Sequence, residues 1–180
     1  EMHGGSPPAG ASFYGCQGRT LDPEFTLAKW EADYRATGQD TMPSFLYMSL
    51  PDNHTLATNV GSPTPQSMVA DNDYAIGLIV DALSHSPFWK NTAVVQTEDD
   101  TQAAGDHVSA LRDYLLVASP WARPGADHQW GSMPALLRTI EQIFGVQPVS
   151  LFDQLATPMH NAFLPRLTDS PDLTPYTAIK

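Results

Sequence analysis

Short apolar runs alternate with longer segments of helical period along this chain, and that alternation restricts the fold more than any other feature. Ser44-Phe45-Leu46-Tyr47-Met48-Ser49-Leu50, Thr92-Ala93-Val94-Val95-Gln96-Thr97 and Asp113-Tyr114-Leu115-Leu116-Val117-Ala118 are each too short for a packed helix and read as buried strands. Pro51, the acidic run Glu98-Asp99-Asp100, and Ser119-Pro120 end them in turn. Glu24 to Thr37 mixes apolar and charged residues as a surface helix does, and Gly38 supplies a stop. Ser67 to Leu83 is a longer helical pattern with Asp71 and Asp73 near its positive end. A third helix has Ser132 as its cap, Pro134 in its first turn and Gly145 as its stop. The expected fold class is therefore α/β, with ligands gathering at the carboxyl ends of the strands.

The rest of the chain adds bounds. At 180 residues a single domain is expected over 1–180, with residues 1–20 and 164–180 read as loop or tail; more broadly, regular structure is expected to end at Pro148. Twenty acidic against nine basic residues give a formal net charge of -11, which disfavours a sequence-independent grip on nucleic-acid phosphates. The same excess is compatible with a divalent cation, whose charge inverts the field in a cleft of carboxylates. Cys16 is the only cysteine, so no internal disulfide forms, and no apolar run reaches the ~20 residues a membrane helix needs.

Glu98-Asp99-Asp100 follows a Val-rich strand, where three like charges on a rigid element are costly without a cation. Oxygen donors of this kind suit Ca, Mg, Mn or Zn. An isolated acidic run is more often a solvated turn; here it has company. His107 lies seven residues beyond Asp100, His54 follows the first apolar run, and His128 precedes the last helix. Asp106 and Asp127, each just before a histidine, are candidates to orient the rings. His85 sits at a helix end, where the dipole favours a cation, and receives no chemistry. Asp71-Asn72-Asp73 lacks the glycine and glutamate of a calcium loop and reads as helix.

Thr97-Glu98-Asp99-Asp100-Thr101-Gln102-Ala103-Ala104-Gly105-Asp106-His107-Val108 resembles the Thr-x-Asp-(Glu/Asp) … Asp-His-Val signature of the bacterial phosphoesterase family. That family includes non-specific phospholipase C and a related acid phosphatase, within the alkaline-phosphatase-like superfamily. Leu50-Pro51-Asp52-Asn53-His54-Thr55, Met68 to Asp73, Ser86 to Ala93 and Ser119-Pro120-Trp121-Ala122 are similar to it in the family's usual order. The resemblance implies an incomplete alkaline-phosphatase-like sheet flanked by helices and a phosphate-ester substrate. It implies Asp99 and Asp100 as metal ligands, His54, His107 and His128 at the phosphate or the metal, and a periplasmic or secreted location.

Two departures qualify the match. Asp52-Asn53-His54 replaces the commoner Asn-Asp-His order, and no Glu-Asn segment matches the family's amino-terminal metal-binding half, which also carries the nucleophile. The chain is accordingly expected to supply half of a phosphatase or phospholipase C-like active site, with an amino-terminal portion of the same protein as its partner. On its own it is expected to be weakly active or inactive. The competing expectation is a non-enzymatic module of the same fold that binds a metal or small ligand. A serine hydrolase is the weakest reading, because no Gly-x-Ser-x-Gly elbow occurs.

Overall fold

The computed structural model describes residues 23–98, 113–165 and 170–179. Helices α1 (Pro23–Thr37), α2 (Pro65–Ser84), α3 (Met133–Phe144) and α4 (Leu151–Leu155) accompany strands β1 (Val94–Thr97) and β2 (Leu115–Ala118). A mixed α/β architecture is present, with a sheet of two antiparallel strands.

Local chemistry sets the helix ends, for α1 and α3 as expected and for α2 two residues earlier than the Ser67 start. Gly38, at φ 71°, closes α1 with its N–H on the Tyr34 carbonyl. Thr64 caps α2 by accepting from the Ser67 N–H at 3.2 Å, with Pro65 in the first turn. Ser132 does the same for α3, accepting from Ala135 N–H at 3.3 Å. At the far end of α3, Gly145 lies in the left-handed region, its N–H on Gln142 O and the Val146 N–H on Glu141 O.

The core forms where α1 and α2 meet the strand pair. Leu27, Ala75, Ile79, Val80, Leu83, Phe88 and Trp89 are buried together, and Trp30, Tyr34, Val94 and Ala118 pack against them. Burying each of the large side chains is worth roughly 1.5–3 kcal/mol. Tyr34 meets Phe88 edge to face at 5.7 Å between ring centroids.

Two expectations need correction. Ser44–Leu50 is not a buried strand: it joins no ladder among the described residues, and Phe45 and Tyr47 are 57% and 78% exposed. Leu50 alone of this run packs on the core, while Phe45 lies edge to face with Phe144 of α3. An apolar run becomes a strand only where another strand satisfies its N–H and C=O groups, and the one described ladder is already made by β1 with β2.

The strands are also antiparallel, with Val94 opposite Ala118 and Thr97 opposite Leu115. The carboxyl end of β1 thus lies beside the amino end of β2, and Ser119-Pro120 sits at the other end of the pair. There the Ser119 hydroxyl donates to Thr92 O at 2.8 Å.

Regular structure also continues past Pro148, in α4 and a 3-10 turn, His160–Ala162. Asp153 is the reason for α4. It is 1% exposed and accepts from the Ser150 hydroxyl and from the N–H groups of Val149 and Ser150, a capping box that Ser150-x-x-Asp153 announces. The segment 170–179 is loop, as expected, yet it is docked on α2: Tyr176 N–H donates to Ser84 Oγ and Ala178 N–H to Asp81 Oδ2.

The Ser150 hydroxyl, then the Glu141 side chain and backbone N–H groups, hold the Asp153 carboxyl far below the ordinary range. A depressed carboxyl contributes stability above its unfolded value of about 4 and loses it as pH falls further. Asp153→Asn is therefore expected to lower the urea midpoint at neutral pH and to flatten the acid limb of stability below about pH 4. Ser132→Ala is expected to cost about 1 kcal/mol at all pH values, read from the same unfolding curves.

Candidate functional site

The carboxyl end of β1 gathers polar side chains from three parts of the chain. A 3-10 turn, Pro51–His54, packs on α2 and presents Asn53. The Asn53 amide donates to Glu98 Oε1 at 2.5 Å, across 45 positions of sequence. The antiparallel register brings Asp113 and Tyr114 to the same place. The Tyr114 hydroxyl accepts from Gln96 Nε2, and Glu98 is close enough to raise its pKa. Thr97 Oγ1 lies 2.9 Å from Tyr114 O and 3.3 Å from Asp113 Oδ2. The result is two hydrogen-bonded pairs set side by side at the strand end, Gln96 with Tyr114 and Asn53 with Glu98.

Its electrostatics are those of an anionic corner. Partial burial of Tyr114, which stays 39% exposed, pushes its pKa above the usual phenol value; the neighbouring Glu98 carboxylate adds to this, followed by the negative fields of Asp113 and Asp73. Tyr114 thus stays a neutral donor. Beside this corner, a groove of about 370 Å³ runs between α2, the strand pair and the docked tail. Ile76, Val80, Val94 and Leu116 form apolar walls, and Asp73 and Gln96 add polar groups. Gln96 keeps a buried Oε1 with no hydrogen-bond partner among the described residues.

The expected site residues divide into two groups. Asp99, Asp100 and His107 lie outside the described residues, as does Asp106. His54 and His128 are described, and both are exposed. His54 is tied to the corner through its neighbour Asn53, and its own Nδ1 lies 3.4 Å from Thr55 O. His128 stands in the loop before α3, and no described contact brings it to His54 or Glu98. Asp127 does not orient the His128 ring; its carboxylate accepts from the Gln129 N–H at 2.9 Å, a local turn bond. His85 behaves as a helix-end residue, paired with Asp81 at 3.1 Å, and His160 bonds Gln142.

Among the described residues no group of three or more His, Cys, Asp or Glu side chains is placed to hold a metal ion. No described helix is long and apolar enough to cross a membrane.

Sequence reading missed the roles of Asn53, Gln96 and Tyr114, and treated Glu98 only as part of an acidic run. Adjacency to His54 was a signal for Asn53. Tyr114 had none, because its approach to Glu98 depends on an antiparallel register that alternation does not specify.

No family model matches this chain, and neither curated proteins nor solved structures give a match.

A phenol with a raised pKa stabilises the fold below its unfolded value of about 10 and loses that contribution as pH rises through the folded value. Tyr114→Phe is expected to remove the last tyrosinate to appear in an ultraviolet absorbance titration of the folded protein. An unchanged titration curve would place the Tyr114 hydroxyl in open solvent.

Proposed function

We propose that this chain supplies half of the active site of a phosphoester hydrolase of the phosphatase or phospholipase C type, including part of its metal site, with a sheet of the alkaline-phosphatase kind. The observation that carries the reading is the register from Thr97 to Val108, in which a strand end is followed by paired acids and then by Asp106-His107-Val108. The anionic corner at the end of β1 supports it, since Glu98, Asp113 and Asp73 set a negative field where a cation is most useful. The link between Asn53 and Glu98 supports it too, because it holds the turn carrying His54 at the strand end from which Asp99 and Asp100 follow.

The donor chemistry of Asp99 and Asp100 suits a hard divalent ion such as Mg, Ca, Mn or Zn. When bound, such an ion polarises a phosphoryl oxygen and offsets the charge that develops there. The chain's own residues carry the remaining work. Asp99 and Asp100 hold the ion, while His54, His107 and His128 bind phosphate oxygens or donate a proton to the leaving oxygen. The nucleophilic hydroxyl and the Glu-Asn metal ligands of this chemistry have no counterpart in the 180 residues, so they come from another segment.

Calorimetric titration with Mn²⁺ tests the metal half. The wild-type chain is expected to bind, and Asp99→Asn with Asp100→Asn to weaken binding by at least about tenfold. Equal affinity in the double variant would sink the assignment. Hydrolysis of a chromogenic phosphate ester is expected to be slow with this chain alone. It should rise with metal when a segment bearing the Glu-Asn pair and the hydroxyl residue is joined to it.

A further inference from the structure

We propose that Asn53, Glu98 and Tyr114 form a positioning unit that clamps the turn carrying His54 to the acidic end of β1. What the clamp serves rests on the phosphoesterase reading; the clamp itself rests on geometry.

Glu98 is the hub. Its carboxylate receives the Asn53 amide from the turn, and the ladder's register sets Glu98 beside Tyr114 at the start of β2. Tyr114 is steadied by Gln96, whose place is fixed by its pairing with Leu116 in the ladder. The turn is thereby referenced to the sheet through side chains, in addition to its packing on α2. Within it, Thr55 N–H reaches Asp52 O, and no side chain caps its start.

The chemistry of the donors matters as much as their position. A Lys or Arg facing Glu98 would cancel the negative field of the corner. Asn53 satisfies the carboxylate with a neutral N–H group, beside the neutral phenol of Tyr114, and leaves its charge in place. His54 directly follows Asn53, and Asp99 directly follows Glu98. One hydrogen bond therefore joins the turn that carries His54 to the last described residue before Asp99 in the sequence. Neither Asn53 nor Glu98 needs to touch substrate or metal for this.

Exchanging donor and acceptor tests the clamp on the chain as it stands. Asn53→Asp sets two carboxylates against each other. It is expected to shift the His54 ring resonances in a proton–carbon NMR spectrum and to speed exchange of the Thr55 N–H about tenfold. Adding Glu98→Gln restores a carboxylate–amide pair with the roles reversed, and is expected to return both readouts to within about twofold of wild type. General structural damage from two substitutions adds rather than cancels, so rescue identifies the direct pair. Should Asn53→Asp fail to fold, Asn53→Ala removes the donor without adding charge and is expected to shift the His54 resonances in the same way.

Unperturbed His54 signals in Asn53→Asp or Asn53→Ala, or a double variant as disturbed as the two singles combined, would overturn the clamp. The two readings fail separately. A wild-type chain that binds no Mn²⁺ refutes the phosphoesterase reading, while the exchange of Asn53 and Glu98 still decides whether the clamp exists.

Discussion

The antiparallel register of β1 with β2 is the constraint on which the candidate site depends. With Thr97 opposite Leu115, the residue after β1 and the residue before β2 fall side by side, and these are Glu98 and Tyr114. A slip of one residue would turn every side chain of one strand to the opposite face. Gln96 would then lose Tyr114, and Glu98 would lose its neutral neighbour across the ladder. Val94 and Ala118 resist such a slip because both pack against the core built by α1 and α2.

That core explains why a two-stranded sheet persists. An isolated pair of short strands is marginal in water, and a face packed on helices is what stabilises it. Ile79, Val80 and Leu83 of α2 provide that face together with Phe88 and Trp89. The same helix receives the 3-10 turn on which Asn53 and His54 stand and the docked segment around Tyr176. Helix α2 is thus the common support for both sides of the anionic corner.

Local elements with their own chemistry were readable in the sequence. Ser132, Pro134 and Gly145 marked α3 to the residue, and Gly38 marked the end of α1, because caps and stops act over one turn of backbone. The capping box of Ser150 and Asp153 was present to be read and was passed over as loop. The apolar run Ser44–Leu50 misled for the opposite reason. Strand formation requires hydrogen-bonding partners that local composition does not supply, so an apolar run can equally end as exposed extended chain.

The division for the site follows the same physics. By itself the sequence determined the acidic end of β1, its spacing to Asp106-His107-Val108, and the placing of His54 after a proline, since those are facts of chain order. Only the tertiary structure decided that Asn53 reaches Glu98 across 45 residues and that Tyr114 comes beside them through the strand register. Contacts between distant segments depend on register and packing. A carboxylate's partners are therefore set by which strands pair, whereas its position at a strand end is set by the residues beside it.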